Sequence, residues 1–162
     1  MGLFDYVYVE YRPLPGTSPE WLTLGSEFQT KDFDDPFMNH YIISEDGRLL
    51  FQDYTYGTDE SHPLGISGKL NELVELGYHG MLTFYGSNWA GFGYGRTYTP
   101  NGEDLEQVEY KAKFTDGRLV DITQTLYKRE PAFPVSQRNS DWAEARAKEK
   151  RDKPIKESTG SE

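Results

Sequence analysis

Two copies of one tetrapeptide, seventy positions apart, do most to restrict what this chain can fold into. Asp46-Gly47-Arg48-Leu49 follows the apolar run His40-Tyr41-Ile42-Ile43. Asp116-Gly117-Arg118-Leu119 follows Tyr110-Lys111-Ala112-Lys113-Phe114 and precedes Val120-Asp121-Ile122. Asp-Gly readily takes the positive φ angles of a tight turn, so each copy flanked by alternating apolar residues reads as a β-hairpin. A hairpin fixes its two strands as antiparallel neighbours, and two of them make the chain β-rich. Register follows from the side-chain period of two, because a slip of one residue turns every side chain to the other face. A three-residue loop with the glycine in a bulge pairs Tyr41 with Phe51 and Ile43 with Leu49. The same loop in the second hairpin pairs Ala112 with Val120 and Tyr110 with Ile122. The repeat reads as a shared turn solution and not as a duplicated domain.

Further strands follow from the same alternation. Tyr6 to Tyr11 is one, ended by Pro13 and Pro15, which remove ladder donors. Glu27 to Lys31, Gly80 to Tyr85 and Phe92 to Thr99 are others. A short helix is expected over Gly68 to Leu76, with Ser67 as its N-cap, Leu70, Leu73 and Val74 on one face, and Gly77 as its stop. Ser140 to Arg151 is a second helical candidate, with Trp142 as its single large apolar residue. Such a helix buries little and is expected to be solvated. The fold class is therefore α+β: an antiparallel sheet of about six strands, one packed helix and a solvated C-terminal helix. The expected division is one domain over 1–137 and a charged, partly helical or disordered tail over 138–162.

Composition excludes several chemistries. There is no cysteine among the 162 residues, so disulfides, thiolate metal sites and cysteine nucleophiles are absent. No basic or apolar leader opens the sequence, and no apolar run approaches the roughly 18 residues of a membrane helix. The expectation is a cytoplasmic protein with no membrane association. Charge is uneven within a net of −10. Residues 1–66 carry three basic residues (Arg12, Lys31, Arg48) against twelve acidic ones, a local net of −9. Residues 138–162 hold seven basic and six acidic residues, a net of +1. An acidic field repels nucleic-acid phosphates and attracts basic protein surfaces.

Chemical motifs are weak. Asp32, Asp34 and Asp35 are close in sequence but do not match a calcium loop, so they read as a solvated acidic turn. The histidines His40, His62 and His79 lie in no i, i+4 zinc arrangement. His79 lies at a helix-to-strand junction before Gly80, where a general base could stand, and His40 lies near Asp34 and Asp35 in sequence. Ser87 lacks the frame of a nucleophile elbow. No metal or cofactor is expected. The run Tyr85-Gly86-Ser87-Asn88-Trp89-Ala90-Gly91-Phe92-Gly93-Tyr94-Gly95-Arg96-Thr97-Tyr98 is not a phosphate loop, because no helix begins after its glycines. As one strand it places Phe92, Tyr94, Arg96 and Tyr98 on one face and Gly91, Gly93 and Gly95 on the other. The bare face would admit another backbone, such as the expected helix at 68–76. The decorated face suits core packing, or stacking on a sugar, a base or a partner.

Gly2-Leu3-Phe4-Asp5-Tyr6-Val7, Pro13-Leu14-Pro15, Phe28-Gln29-Thr30-Lys31-Asp32, Asp46-Gly47-Arg48-Leu49 and the later Glu109 to Arg118 segment together resemble a group of small proteins of phages and bacterial prophages. The resemblance spans about residues 2–128. Members often carry a cysteine soon after the Phe-Gln-Thr-Lys segment, where this chain has Asp34-Asp35-Pro36. The resemblance implies a phage-linked context and carries over no activity and no site residue. The leading expectation is a non-enzymatic interaction protein that presents Asp32, Asp34, Asp35, Asp59 and Glu60 to a basic host or phage protein. One form of it is an inhibitor of a host defence or nucleic-acid enzyme. A second expectation is a small-ligand or glycan module using Tyr94, Arg96 and Tyr98. A third is an enzyme using His79.

Overall fold

The computed structural model of the chain describes residues 3–34, 38–52, 54–58, 66–70 and 72–152, with 54–58 and 66–70 described as backbone only. The chain forms two compact units. One comprises Met1–Gly86 with Gln107–Tyr127, and the other Ser87–Glu106 with Lys128–Glu162.

The first unit is built on a sheet of eight strands. In chain order they are β1 (Asp5–Val9), β2 (Glu27–Thr30), β3 (His40–Ile43), β4 (Leu49–Gln52), β7 (Val74–Glu75), β8 (Gly80–Ser87), β11 (Leu105–Thr115) and β12 (Arg118–Glu130). The spatial order is β12-β11-β8-β2-β1-β3-β4-β7. The sheet has eight strands where about six were expected, and it is mixed. The chain lays β2 antiparallel on one edge of β1, then returns to the other edge with β3, which runs parallel to β1 with Val7 beside Tyr41 and Val9 beside Ile43. Strands β5 (Tyr54–Thr58) and β6 (Ile66–Leu70) form a separate antiparallel pair.

The helix expected over Gly68 to Leu76 does not form. Its first part is β6, in ladder with β5 from Tyr54–Leu70 to Thr58–Ile66, and its last part is β7 beside β4. An isolated helix of nine residues is marginal in water, and it gains stability only by burying its apolar face. Here Leu73 and Val74 stay exposed, so that gain is absent, and ladder pairing prevails.

A sheet must still bury one face. The inward residues of alternate positions do so together: Val7, Val9, Phe28, Tyr41, Ile43, Leu49, Leu82, Phe84, Val108, Tyr110, Ala112 and Phe114 are all buried in one cluster. Each large apolar side chain so buried contributes about 1.5–3 kcal/mol relative to exposure. Phe28, Phe84 and Tyr110 meet with ring centroids 5.1–5.9 Å apart. The link between β1 and β2 takes the place of the missing helix. Leu14 is buried in the cluster, and Tyr11, Trp21 and Leu22 pack against it. Gln124 pins that link, accepting from Thr17 N–H and donating to the Thr17 carbonyl.

The two Asp-Gly-Arg-Leu turns meet. Leu49 N–H donates to the Gly117 carbonyl at 3.0 Å, and Leu119 N–H donates to the Gly47 carbonyl at 2.7 Å. This reciprocal bridge, centred on Arg48 and Arg118, joins the start of β4 to the start of β12 and so ties the far side of the sheet back to its other end. The first hairpin has the expected register, Tyr41 opposite Phe51 and Ile43 opposite Leu49, with Gly47 at φ 80°. The second departs from it. Its link is the two residues Asp116-Gly117, both with positive φ (48° and 78°), as a type I′ turn requires. Val120, expected opposite buried Ala112, is 59% exposed. The half-buried positions of β12 begin Leu119, Ile122 and Gln124, so its burial does not alternate strictly after the turn. Beyond it Gln124 reaches Tyr110 and Thr125 bonds Glu109.

The second unit has a three-stranded sheet, β13-β10-β9, of β9 (Gly91–Gly93), β10 (Arg96–Thr99) and β13 (Phe133–Pro134), followed by a 3-10 turn (Val135–Gln137) and helix α1 (Arg138–Asp152). The expected C-terminal helix forms, and Asp141 is its one buried residue.

Candidate functional site

The glycine-aromatic run is a hairpin and not a single strand. Arg96 pairs with Gly93 and Tyr98 with Gly91, leaving Tyr94-Gly95 as the turn, with φ of 55° and 73°. The turn breaks the expected four-residue face. Arg96 and Tyr98 still project together, two residues apart on β10, and both point at α1. Arg96 Nη1 donates to Asp141 Oδ1 at 2.7 Å, Tyr98 Oη donates to Oδ2 at 2.7 Å, and Gln137 Nε2 reaches Oδ1 at 3.3 Å. The Arg96 guanidinium also lies over the Phe133 ring, 4.3 Å from its centroid. The Tyr98 hydroxyl, with Gln137 and Arg96, holds the Asp141 carboxyl below the usual carboxylate range against the opposing effect of burial. Burial and the Asp141 carboxylate push the Tyr98 hydroxyl up. An acidic group in the first turn of a helix is further favoured by the helix dipole.

Arg96 and Tyr98 thus anchor α1. Tyr98 is wholly buried, and Tyr94, in the turn, is exposed. The hollow beside them, lined by Tyr94, Arg96, Asp141, Glu144, Ala145 and Lys148, measures about 170 Å³. The bare side of the hairpin receives a guanidinium and not a helix from 68–76: a Cβ on Gly91 would lie 3.2 Å from Arg138 Nη1.

This unit exposes several aromatic rings. Phe92 is 66% exposed and Trp89 47%, and their rings form a tilted pair with centroids 4.9 Å apart. Phe92 precedes the turn on β9, and the Ala90 N–H donates to the Tyr98 carbonyl, so backbone hydrogen bonds fix the segment that carries both rings. Trp142 on α1 is exposed as well.

The acidic residues expected to bind are in the first unit. Asp32 is exposed, and its carboxylate accepts the Thr83 N–H, stitching the end of β2 to β8. Thr30 supports the same junction by donating to the Thr83 carbonyl at 2.7 Å. Asp34 is exposed; Asp35, Asp59 and Glu60 lie outside the described residues, as does His62. Among the described residues, no group of three histidine, aspartate or glutamate side chains could hold a metal ion. His79 is exposed in the link before β8. His40 is half-buried between the rings of Tyr6 and Tyr8, and burial lowers its pKa.

Sequence reasoning singled out the run and placed Phe92, Arg96 and Tyr98 on its decorated face, but gave Trp89 no role and missed Asp141. Asp141 is 45 residues from Arg96, and nothing local links them. Trp89 and Phe92 carried a usable signal, since large apolar residues beside glycines in a tight hairpin have little to pack against. No known family, characterised protein or solved structure matches this chain.

Proposed function

We propose that this chain is a phage- or prophage-linked, non-enzymatic interaction protein that holds a protein partner through the aromatic rim of its second unit. The exposed Trp89–Phe92 pair carries the reading. Tryptophan is among the residues that dominate binding energy at protein interfaces, and aromatic residues generally are enriched there. Covering the exposed parts of both rings would remove roughly 200–250 Å² from water, about 5–6 kcal/mol before the costs of association. The rings are set on a backbone-bonded hairpin, so little ordering entropy is lost on binding. A net charge of −10 favours a partner with a basic surface and disfavours nucleic acid. The pair is tilted by 58°, which suits protein side chains better than a flat sugar or base platform.

A small-ligand reading on Tyr94, Arg96 and Tyr98 has less support. The adjacent hollow of about 170 Å³ is below the roughly 300 Å³ at which ligand pockets begin. A catalytic reading on His79 gains no nearby constellation. Asp32 and Asp34, on the first unit, contribute to the same proposal only through long-range attraction of a basic partner. Among the described residues no helix is long and apolar enough to cross a membrane.

The test is affinity capture from bacterial lysate with the wild-type chain and with Trp89→Ala/Phe92→Ala, at low and high salt. Capture of a partner that the double variant loses, with association slowing as salt rises, is the expected result. A partner held equally by both proteins would refute the role of the rim.

A further inference from the structure

We propose that the first unit holds a second, independent binding site: a hollow beside Arg12 that takes a monoanionic carboxylate attached to an apolar group. Arg12 is one of three cations in the first 66 residues. It stands where β1 gives way to the core-covering link, and it is partly buried there. Its guanidinium has five donors. One of them, on Nη2, is matched by the Thr23 carbonyl at 2.8 Å, and Nε is buried without a partner. Among the described residues, no ion pair includes it. Burial lowers its pKa, as expected for a cation short of counter-charge. A partly desolvated cation left unpaired costs stability, and a ligand anion recovers that cost.

The surroundings select the ligand. A hollow of about 400 Å³ adjoins Arg12, walled by Pro13, Leu14, Leu22 and Leu24, with the Ser18 and Thr23 positions at its polar edge. Its volume falls in the range of small-ligand sites. Leu24 is 62% exposed, an apolar wall with nothing on it among the described residues. Glu10 and Glu45 line an adjoining hollow that shares Arg12 and Leu24 with this one, but they do not line this one. Their field, and that of the acidic N-terminal segment, opposes a dianion about twice as strongly as a monoanion. That favours a carboxylate over a phosphate, and the leucines favour one with a hydrocarbon or aryl group. The same chemistry occurs in a free aliphatic acid and in a polypeptide ending in an apolar residue.

The experiment is a titration of the full chain, followed by amide chemical shifts at residues 12–24. The probes are octanoate, n-octanol, inorganic phosphate, and a short peptide ending in leucine with a free or an amidated terminus. Octanoate should bind at least tenfold more tightly than n-octanol or phosphate, with the shifts centred on Leu22 to Leu24. Arg12→Gln should weaken octanoate at least tenfold. Because Arg12 also holds Thr23, Leu24→Ser is the companion variant; it leaves the guanidinium in place and should weaken octanoate several-fold. A free-terminus peptide binding better than octanoate, with the amide inactive, identifies a polypeptide terminus as the source; the reverse order identifies a free acid. Equal binding of octanoate and n-octanol, phosphate binding as tightly as octanoate, or no shift at these residues overturns the proposal. The site shares no residue with Trp89 and Phe92, so either reading can fail alone.

Discussion

Replacing Gly117 by alanine tests how the first unit closes. Gly117 has φ 78°, and a Cβ there would run into the backbone carbonyl of Leu76, which cannot rotate away as a side chain would. The left-handed conformation costs a non-glycine residue about 1–2 kcal/mol. Relief of the clash must move the turn, which loosens three hydrogen bonds: Gly117 N–H to Tyr78, Leu49 N–H to Gly117, and Leu119 N–H to Gly47. At a net of about 1 kcal/mol each, partial loss brings the total to about 3–5 kcal/mol. Gly47→Ala is the internal control. Its φ of 80° carries the same conformational cost, but the added methyl would meet Leu119 Cβ at 3.3 Å and touch its backbone nitrogen only at 4.0 Å, an ordinary contact. About 1–2 kcal/mol is expected there. Urea and thermal unfolding followed by far-UV circular dichroism would compare the two. At about 2–4 °C per kcal/mol for a chain of this size, Gly117→Ala should lower Tm by about 10 °C and Gly47→Ala by less than half of that. Equal losses would refute the argument that the Leu76 carbonyl, and not the turn conformation alone, makes Gly117 obligatory.

Three further outcomes follow. Asp141→Ala removes the acceptor of Arg96 and Tyr98 and should expose the amides of the first two turns of α1 to fast hydrogen exchange; unchanged protection would show that the anchor is dispensable. Because Asp141 titrates below its ordinary range when folded, its contribution is present above about pH 4 and is lost as pH falls through the lower, folded value; helix anchoring followed by Trp142 fluorescence should fade in that window. At the alkaline end, burial and then Asp5 push Tyr41 up to about 12, and burial likewise raises Tyr78, Tyr85 and Tyr110. Stability from these groups is full below about pH 10 and lost as pH rises through the folded values, so part of the tyrosinate absorbance should appear only with unfolding; full, reversible titration near pH 10 would contradict it.

The strands legible in the sequence are those whose alternation is clean. His40–Ile43 with Leu49–Gln52 came with correct register, because one face is strongly apolar and the Gly47 turn allows one solution. The second hairpin misled because its link is the two-residue turn Asp116-Gly117, which apolar matching of the flanking strands did not indicate. The 68–76 segment misled for another reason. Its helical period is real, but a period is only a face seeking cover, and in this fold the cover comes from the link that carries Leu14 and Trp21. The parallel pairing of β1 with β3 depends on which edge of β1 the chain returns to, and no local residue encodes that choice. Of the site, Arg96, Tyr98 and the aromatic run were legible as a cluster; their partner Asp141 was not, since it lies 45 residues from Arg96 with no local pattern to link them.

The bridge between the two glycine turns also orders events in time. It joins positions 47 and 117, and drawing a free chain of that span together costs roughly 4 kcal/mol in loop entropy, so the closure forms late, after the intervening strands have shortened the distance. On a ribosome the first hairpin would emerge well before its counterpart exists. Until 105–127 is made, β8 has an open flank and the Leu49 amide has no acceptor. The last hairpin is then a latch, and a chain cut near residue 104 would present a bare strand edge to its neighbours and associate through it.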